Sequence, residues 1–202
     1  MAFRSFRSII QPKLKEIEAL TPFGLYYVKL AEALNEWFNE RLTIQIGSVK
    51  GTVTAPNGAT VPFAAECLKP LIETLSFQPM ILQSYALTEQ QLFPNIFNYI
   101  GLTINQKLRV WVSVPPINII SNLSVGFITG HFMLYGEKFI ARMQTEDPAD
   151  PEIFNIFWDE FESHLKDAIN TTAIAVDYAT GVVPGGMFNG TASMRLLSDL
   201  GE

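Results

Sequence analysis

GTVTAPNGATVPFAAECLKPLIETL, residues 51–75, is the stretch on which the fold turns. Val53 and Thr54 lead into Ala55-Pro56-Asn57-Gly58, where proline presets its own backbone angle and Asn-Gly accepts positive φ. The chain is therefore expected to reverse and return through Thr60, Val61 and Pro62 as a hairpin. Beyond it, Phe63, Ala64, Cys67, Leu68, Leu71, Ile72 and Leu75 recur at helical spacing, and Pro70 must kink or divide the helix they predict.

The flanking sequence repeats this mixture of periods. Upstream, Thr21-Pro22 is a helix start, since Thr caps free N–H groups and Pro at the first helical position sacrifices no bonded one. Phe23, Tyr27, Leu30, Leu34, Trp37 and Phe38 form an apolar stripe, with Lys29, Glu32, Asn35, Glu36 and Glu40 mostly off it. After Arg41 the period becomes two, with Leu42, Ile44 and Ile46 alternating with Thr43, Gln45 and Gly47.

Downstream, Thr88-Glu89-Gln90-Gln91 has the form of a capping box. It predicts a helix through Leu92, Ile96, Phe97 and Ile100, disturbed by Pro94. Leu108, Val110, Val112 and Val114 then alternate with Arg109, Trp111 and Ser113, a strand stopped by Pro115-Pro116. Residues 117–143 hold two strands or a strand and a helix; their density of Ile, Val, Phe and Thr favours strands. TEDPADPE, 145–152, is a candidate exposed linker. A helix follows through Ile153, Phe157, Phe161, Leu165, Ala168 and Ile169, before Thr172, Ile174 and Val176 restore the period of two.

This predicts an α+β fold, amphipathic helices packed on a mostly antiparallel sheet. Its parts are a basic arm or helix over 1–20 and a single domain over 21–202. The last segment, TGVVPGGM followed by GTASMRLLSDL, echoes GTVTAPNG followed by PFAAECLKPL. The echo is either common turn chemistry used twice or two helix-strand-turn-helix modules flanking a central β segment.

With 48% hydrophobic residues the chain supports a core, whereas 17% charged residues, against roughly 25% in ordinary soluble domains, leave an isolated monomer short of surface charge. Coverage by a partner is the expectation. A net charge of −6 disfavours nucleic acid as the main ligand. The local exception is the start, where Arg4, Arg7, Lys13 and Lys15 have no acid among them through Lys15: a solvated arm, or an anchor for an acidic partner or phosphate.

Cys67 is the only cysteine, which excludes an intrachain disulfide and a thiolate metal cage, and its neighbours mark it as a core thiol. Sequons at Asn122, Asn170 and Asn189 carry little weight without a secretory signal. No Asp, Glu, Lys or Arg falls between Arg109 and Glu137, long enough to span a bilayer. Yet Pro115, Pro116, Asn118, Ser121, Asn122, Ser124, Thr129 and His131 oppose a span, and insertion of residues 117–135 is kept as an alternative.

Chemical signals are thin, and no catalytic, cofactor-binding or metal residues are assigned. His131 and His164 are the only imidazoles, too few for a multi-histidine site. His131 in GFITGHFMLYG suits a satisfied core or interface histidine. Glu160, one turn before His164, suits a solvated helical pair, and the Glu-x-x-His of di-iron bundles is absent because Phe161 stands three before His164. An enzyme using His131, Glu160 and His164 at a shared pocket is the further alternative. GVVPGGMFNG lacks the lysine and the glycine spacing of a phosphate loop.

Low charge, abundant Phe, an amphipathic N-terminal helix and turns such as GTVTAPNG and TGVVPGGMFNG together resemble structural proteins of tailed-bacteriophage particles. The resemblance implies a neck, tail or baseplate component, assembled in the host cytoplasm into the virion. Such a protein acts through copies of itself and neighbouring proteins, without cofactor or small-molecule substrate. The central β segment departs from that class. Candidate interface residues are Arg4, Arg7, Trp111 and Phe188, with Trp37 and Trp158 expected in the core.

Overall fold

The computed structural model describes residues 3–17, 24–54, 60–64, 68–72, 76–77, 89–114, 117–122, 128–180 and 186–197. The turn at 55–58, Cys67, the Thr88 cap, Pro115-Pro116 and the glycines from Gly181 to Gly185 lie outside the described residues. The helices are α1 (Phe6–Lys15), α2 (Gly24–Arg41), α3 (Glu89–Lys107), α4 (Ile128–Met143) and α5 (Ile153–Asn170). The strands are β1 (Leu42–Thr54), β2 (Thr60–Ala64), β3 (Leu68–Ile72), β4 (Leu108–Val114), β5 (Ile117–Asn122), β6 (Ala173–Thr180) and β7 (Gly186–Leu196).

The core is built by helices packing on helices. Among the described residues its fully buried side chains are Trp37, Phe6, Phe38, Phe97, Phe132, Phe139, Phe161, Ile10, Ile100 and Ile104, all on α1 to α5. Phe161 is the hub, with ring centres of Phe6 and Phe97 each 5.2 Å away and those of Phe139 and Trp158 each 5.7 Å away. Aromatic rings at such separations, mostly tilted or edge-on, add to the stabilisation from burial. Trp37 and Trp158 are buried, as expected of them.

These contacts correct the expected α+β arrangement of amphipathic helices packed on a mostly antiparallel sheet. The helices bury their stripes against one another, and among the described side chains the strands lend the core only partly buried Leu42 and Leu196. The strands form two groups, ordered β2-β1-β7-β6 and β3-β4-β5. Pro62 and Pro70 fall on β2 and β3, edge strands of these groups, where a missing N–H costs least.

The reading of two flanking modules is corrected as well. Residues 63–64 belong to β2, 68–72 to β3 and 190–196 to β7, so the described residues of both expected short helices are strand. The echoing stretches meet instead: β1 pairs antiparallel with β7, from Leu42↔Leu196 to Val53↔Gly186. In 117–143 the strand-and-helix option holds, β5 followed by α4.

The basic start is a docked helix. Phe6, Ile9 and Ile10 are buried, and α1 runs antiparallel to α5, since Phe6 meets Glu162, Arg7 meets Asp159 and Gln11 meets Asn155. Ser5 caps it, accepting from the Ser8 N–H. On the loop side, the Asn35 amide clamps Phe77, accepting its N–H and donating to its C=O, which seats the Phe77 ring 5.3 Å from Phe38.

Candidate functional site

Among the described residues an apolar cavity of about 270 Å³ lies where α1, α2, α3 and α5 converge. Helix α1 supplies Ile10 and Leu14, α2 supplies Tyr26, Tyr27 and Leu30, and α3 supplies Leu92, Phe93 and Ile96. The α5 wall is Ile153, Phe154, Phe157 and Trp158. Phe154 is 60% exposed and Tyr26 44%, so both reach solvent at the rim. Tyr27 is half-buried, and burial pushes its phenol above the ordinary range, keeping it neutral.

Polar side chains of the helical body bond to one another. Arg4 lies 2.5 Å from carboxylate oxygens of both Glu36 and Glu40, Lys13 lies 3.1 Å from Glu36, and Arg7 lies 3.0 Å from Asp159. Arg4, Arg7 and Lys13 of the basic start thus each pair with a carboxylate of the same chain. Burial raises the Glu36 carboxyl, yet hydrogen bonds from Lys13 and Arg4 outweigh it and hold the group below the usual carboxylate range. Glu162 is 5% exposed; it accepts the Phe6 N–H at 2.7 Å and pairs with Lys166 at 2.8 Å. A carboxylate from another helix here satisfies an orphan donor at the α1 N-terminus. Arg41 is buried over the Phe3 and Trp37 rings and donates to the Arg4 carbonyl.

The two histidines occupy separate places on the α4–α5 seam. Thr171 donates to the Asp167 carbonyl, so its Oγ1 is an acceptor for His131 Nε2 at 2.9 Å and Tyr135 Oη at 3.0 Å. His131 Nε2 also lies 3.1 Å from the Ala168 carbonyl. His164 Nδ1 donates to the Glu160 carbonyl at 2.8 Å, its ring 5.9 Å from Phe139, while Arg142 holds the Glu160 carboxylate at 3.2 Å. Among the described residues no hydrogen bond joins His131 to Glu160 or His164, and no group of three metal-ligating side chains occurs.

Trp111 falls on β4, in register with Lys69 and Ile120, and Phe188 on β7, in register with Gly51 and Tyr178. Of residues 117–135, 117–122 form β5 and 128–135 open α4, and no helix among the described residues is long and apolar enough to cross a membrane. The cavity itself escaped sequence reasoning, which followed the stripes. Its signal was the aromatic residues beside them, Tyr26 next to Tyr27 and Phe154 next to Ile153. No family model, curated protein or solved structure matches the chain.

Proposed function

We propose that the chain is a structural, assembly-type protein working through contacts with copies of itself and neighbouring proteins. Its setting would be a large complex such as a tailed-bacteriophage neck, tail or baseplate. The supporting observation is on α4. Its inner face is committed, with Phe132, Tyr135 and Phe139 buried, yet its outer face carries Met133 and Leu134 in solvent, 40% and 46% exposed. Two adjacent exposed apolar side chains with Glu137 and Lys138 one turn further on form an apolar spot with a charged rim, which suits a contact surface. The low charged fraction points the same way. The phage setting rests on the sequence resemblance alone.

Light scattering across the accessible concentration range tests this. Wild type is expected to gain mass with concentration, and M133K/L134K to stay monomeric with an unchanged helical circular-dichroism spectrum. A wild type that remains a monodisperse monomer throughout overturns the reading.

A further inference from the structure

Resting on the self-association argued above, we propose that the outer face of α4 docks on the same face of a second copy of this chain, antiparallel, across a two-fold axis passing between Glu137 and Lys138. Met133, Leu134, Glu137, Lys138 and Ala141 are all exposed, whereas Phe132, Tyr135, Gly136 and Phe139 are buried. With 3.6 residues per turn, Leu134, Glu137, Lys138 and Ala141 share one stripe about two turns long.

Charge selects the partner. Glu137 and Lys138 form no ion pair among the described residues, although Arg4, Arg7, Lys13, Lys29, Arg142 and Lys166 of the helical body each do. The Lys138 Nζ lies 4.2 Å from the centre of the Tyr135 ring, which holds the ammonium in place and leaves it without a counter-ion. One acid and one base give the stripe no net charge, so it has no pull on a polyanion such as nucleic acid or an acidic membrane. It does complement itself. The two-fold axis sets Glu137 of each copy against Lys138 of the other, and Leu134 of each against the small Ala141 of the other. A parallel pair would instead face Glu137 with Glu137 and Lys138 with Lys138. Because α4 has 16 residues and is thus about 24 Å long, the contact stays below the roughly 800 Å² per partner of a standard interface, and the pair dissociates on dilution.

Sedimentation equilibrium of the full chain at low salt tests this. Glu137→Lys sets lysine against lysine twice in each pair, and Lys138→Glu sets acid against acid twice, so each variant alone should dimerise at least about tenfold more weakly than wild type. An equimolar mixture of the two should regain the wild-type affinity, and so should the double swap E137K/K138E. Rescue by mixing also guards against lost folding, since an unfolded variant is not restored by its counterpart. The differences should shrink in about 1 M salt, where the screening length is about 3 Å. Wild-type dimers indifferent to both single substitutions overturn this face and register while leaving self-association standing, as do single variants that remain monomeric when mixed. A wild type that stays monomeric throughout overturns both readings together.

Discussion

Residues 63–75 and residues 153–169 both carry apolar side chains at spacings of three and four, and they fold differently. The second is α5, eighteen residues without Pro or Gly, whose stripe of Phe157, Trp158, Phe161 and Leu165 meets rings from α1, α3 and α4. Of the first, residues 63–64 lie on β2 and 68–72 on β3, which pair with β1 and β4. Proline does not explain the contrast by itself, because α1 contains Pro12 and α3 contains Pro94 and both remain helical. Their stripes are packed against other helices. Helical spacing is permission for a helix, and tertiary burial decides whether it is used.

Removing the burial while keeping the spacing tests that statement most strongly. Phe161→Ala empties the hub touched by Phe6, Phe97, Phe139 and Trp158. A loss of about 3–5 kcal/mol is expected in urea unfolding, with α1 loosened along with α5. A loss below about 1 kcal/mol would mean that spacing, not packing, holds the helices.

The next largest effect concerns how closely α3 and α4 approach. A Cβ on Gly136 would lie 2.6 Å from Pro94 Cα and 2.9 Å from the Phe93 carbonyl oxygen, both backbone atoms that cannot rotate away. Gly136→Ala should cost about 3 kcal/mol by the same measurement, at the upper end of overpacking. Pro94 is therefore accommodated in α3 with a glycine of α4 against it.

How far this was legible in the sequence follows from the same physics. The strand Leu108–Val114 and the stripes of α2 and α5 were readable because each keeps one period across its whole length. In 128–143, Phe132, Tyr135 and Phe139 keep helical spacing, but a high density of β-favouring residues masked it. At the start, Phe6, Ile9 and Ile10 mark a core helix, though the arginines and lysines around them suggested an arm. Their acidic partners lie far along the chain, on α2 and α5, where local pattern does not connect them. The cavity was hidden for a similar reason: its walls come from four helices, and no single stripe contains it.

Two smaller predictions bear on how the N-terminal segment is held against α5 and α2, where packing and charge act together. Glu162→Ala leaves the Phe6 N–H without its acceptor in a buried setting and should cost about 2 kcal/mol. Glu162→Gln should recover about half of that, because an amide oxygen still accepts the bond while the Lys166 pairing is lost. The Glu36 carboxyl, held below its ordinary range in the folded chain, contributes stability above the unfolded carboxyl pKa, and that contribution falls away as pH drops through the lower folded value. Glu36→Gln should thus cost about 0.5–1 kcal/mol near neutrality, and progressively less as pH falls below about 4. A gap that widened on acidification would contradict this sign.

The smallest expected effect returns to the opening contrast from the other side. Pro70→Ala removes the residue that most plainly opposes a helix over 63–75 and gives β3 a backbone N–H at an edge position paired with Val110. If proline were the cause of the strands, the segment would turn helical and the circular-dichroism signal at 222 nm would deepen. If β4 pairing is the cause, the spectrum stays as it is, and stability shifts by no more than about 0.5–1 kcal/mol, mainly through the greater freedom of the unfolded chain. The second outcome is expected, because β3 already holds Pro70 in register with Val110 and the ladder either side of it, Leu68↔Val112 to Ile72↔Leu108, survives the substitution unchanged.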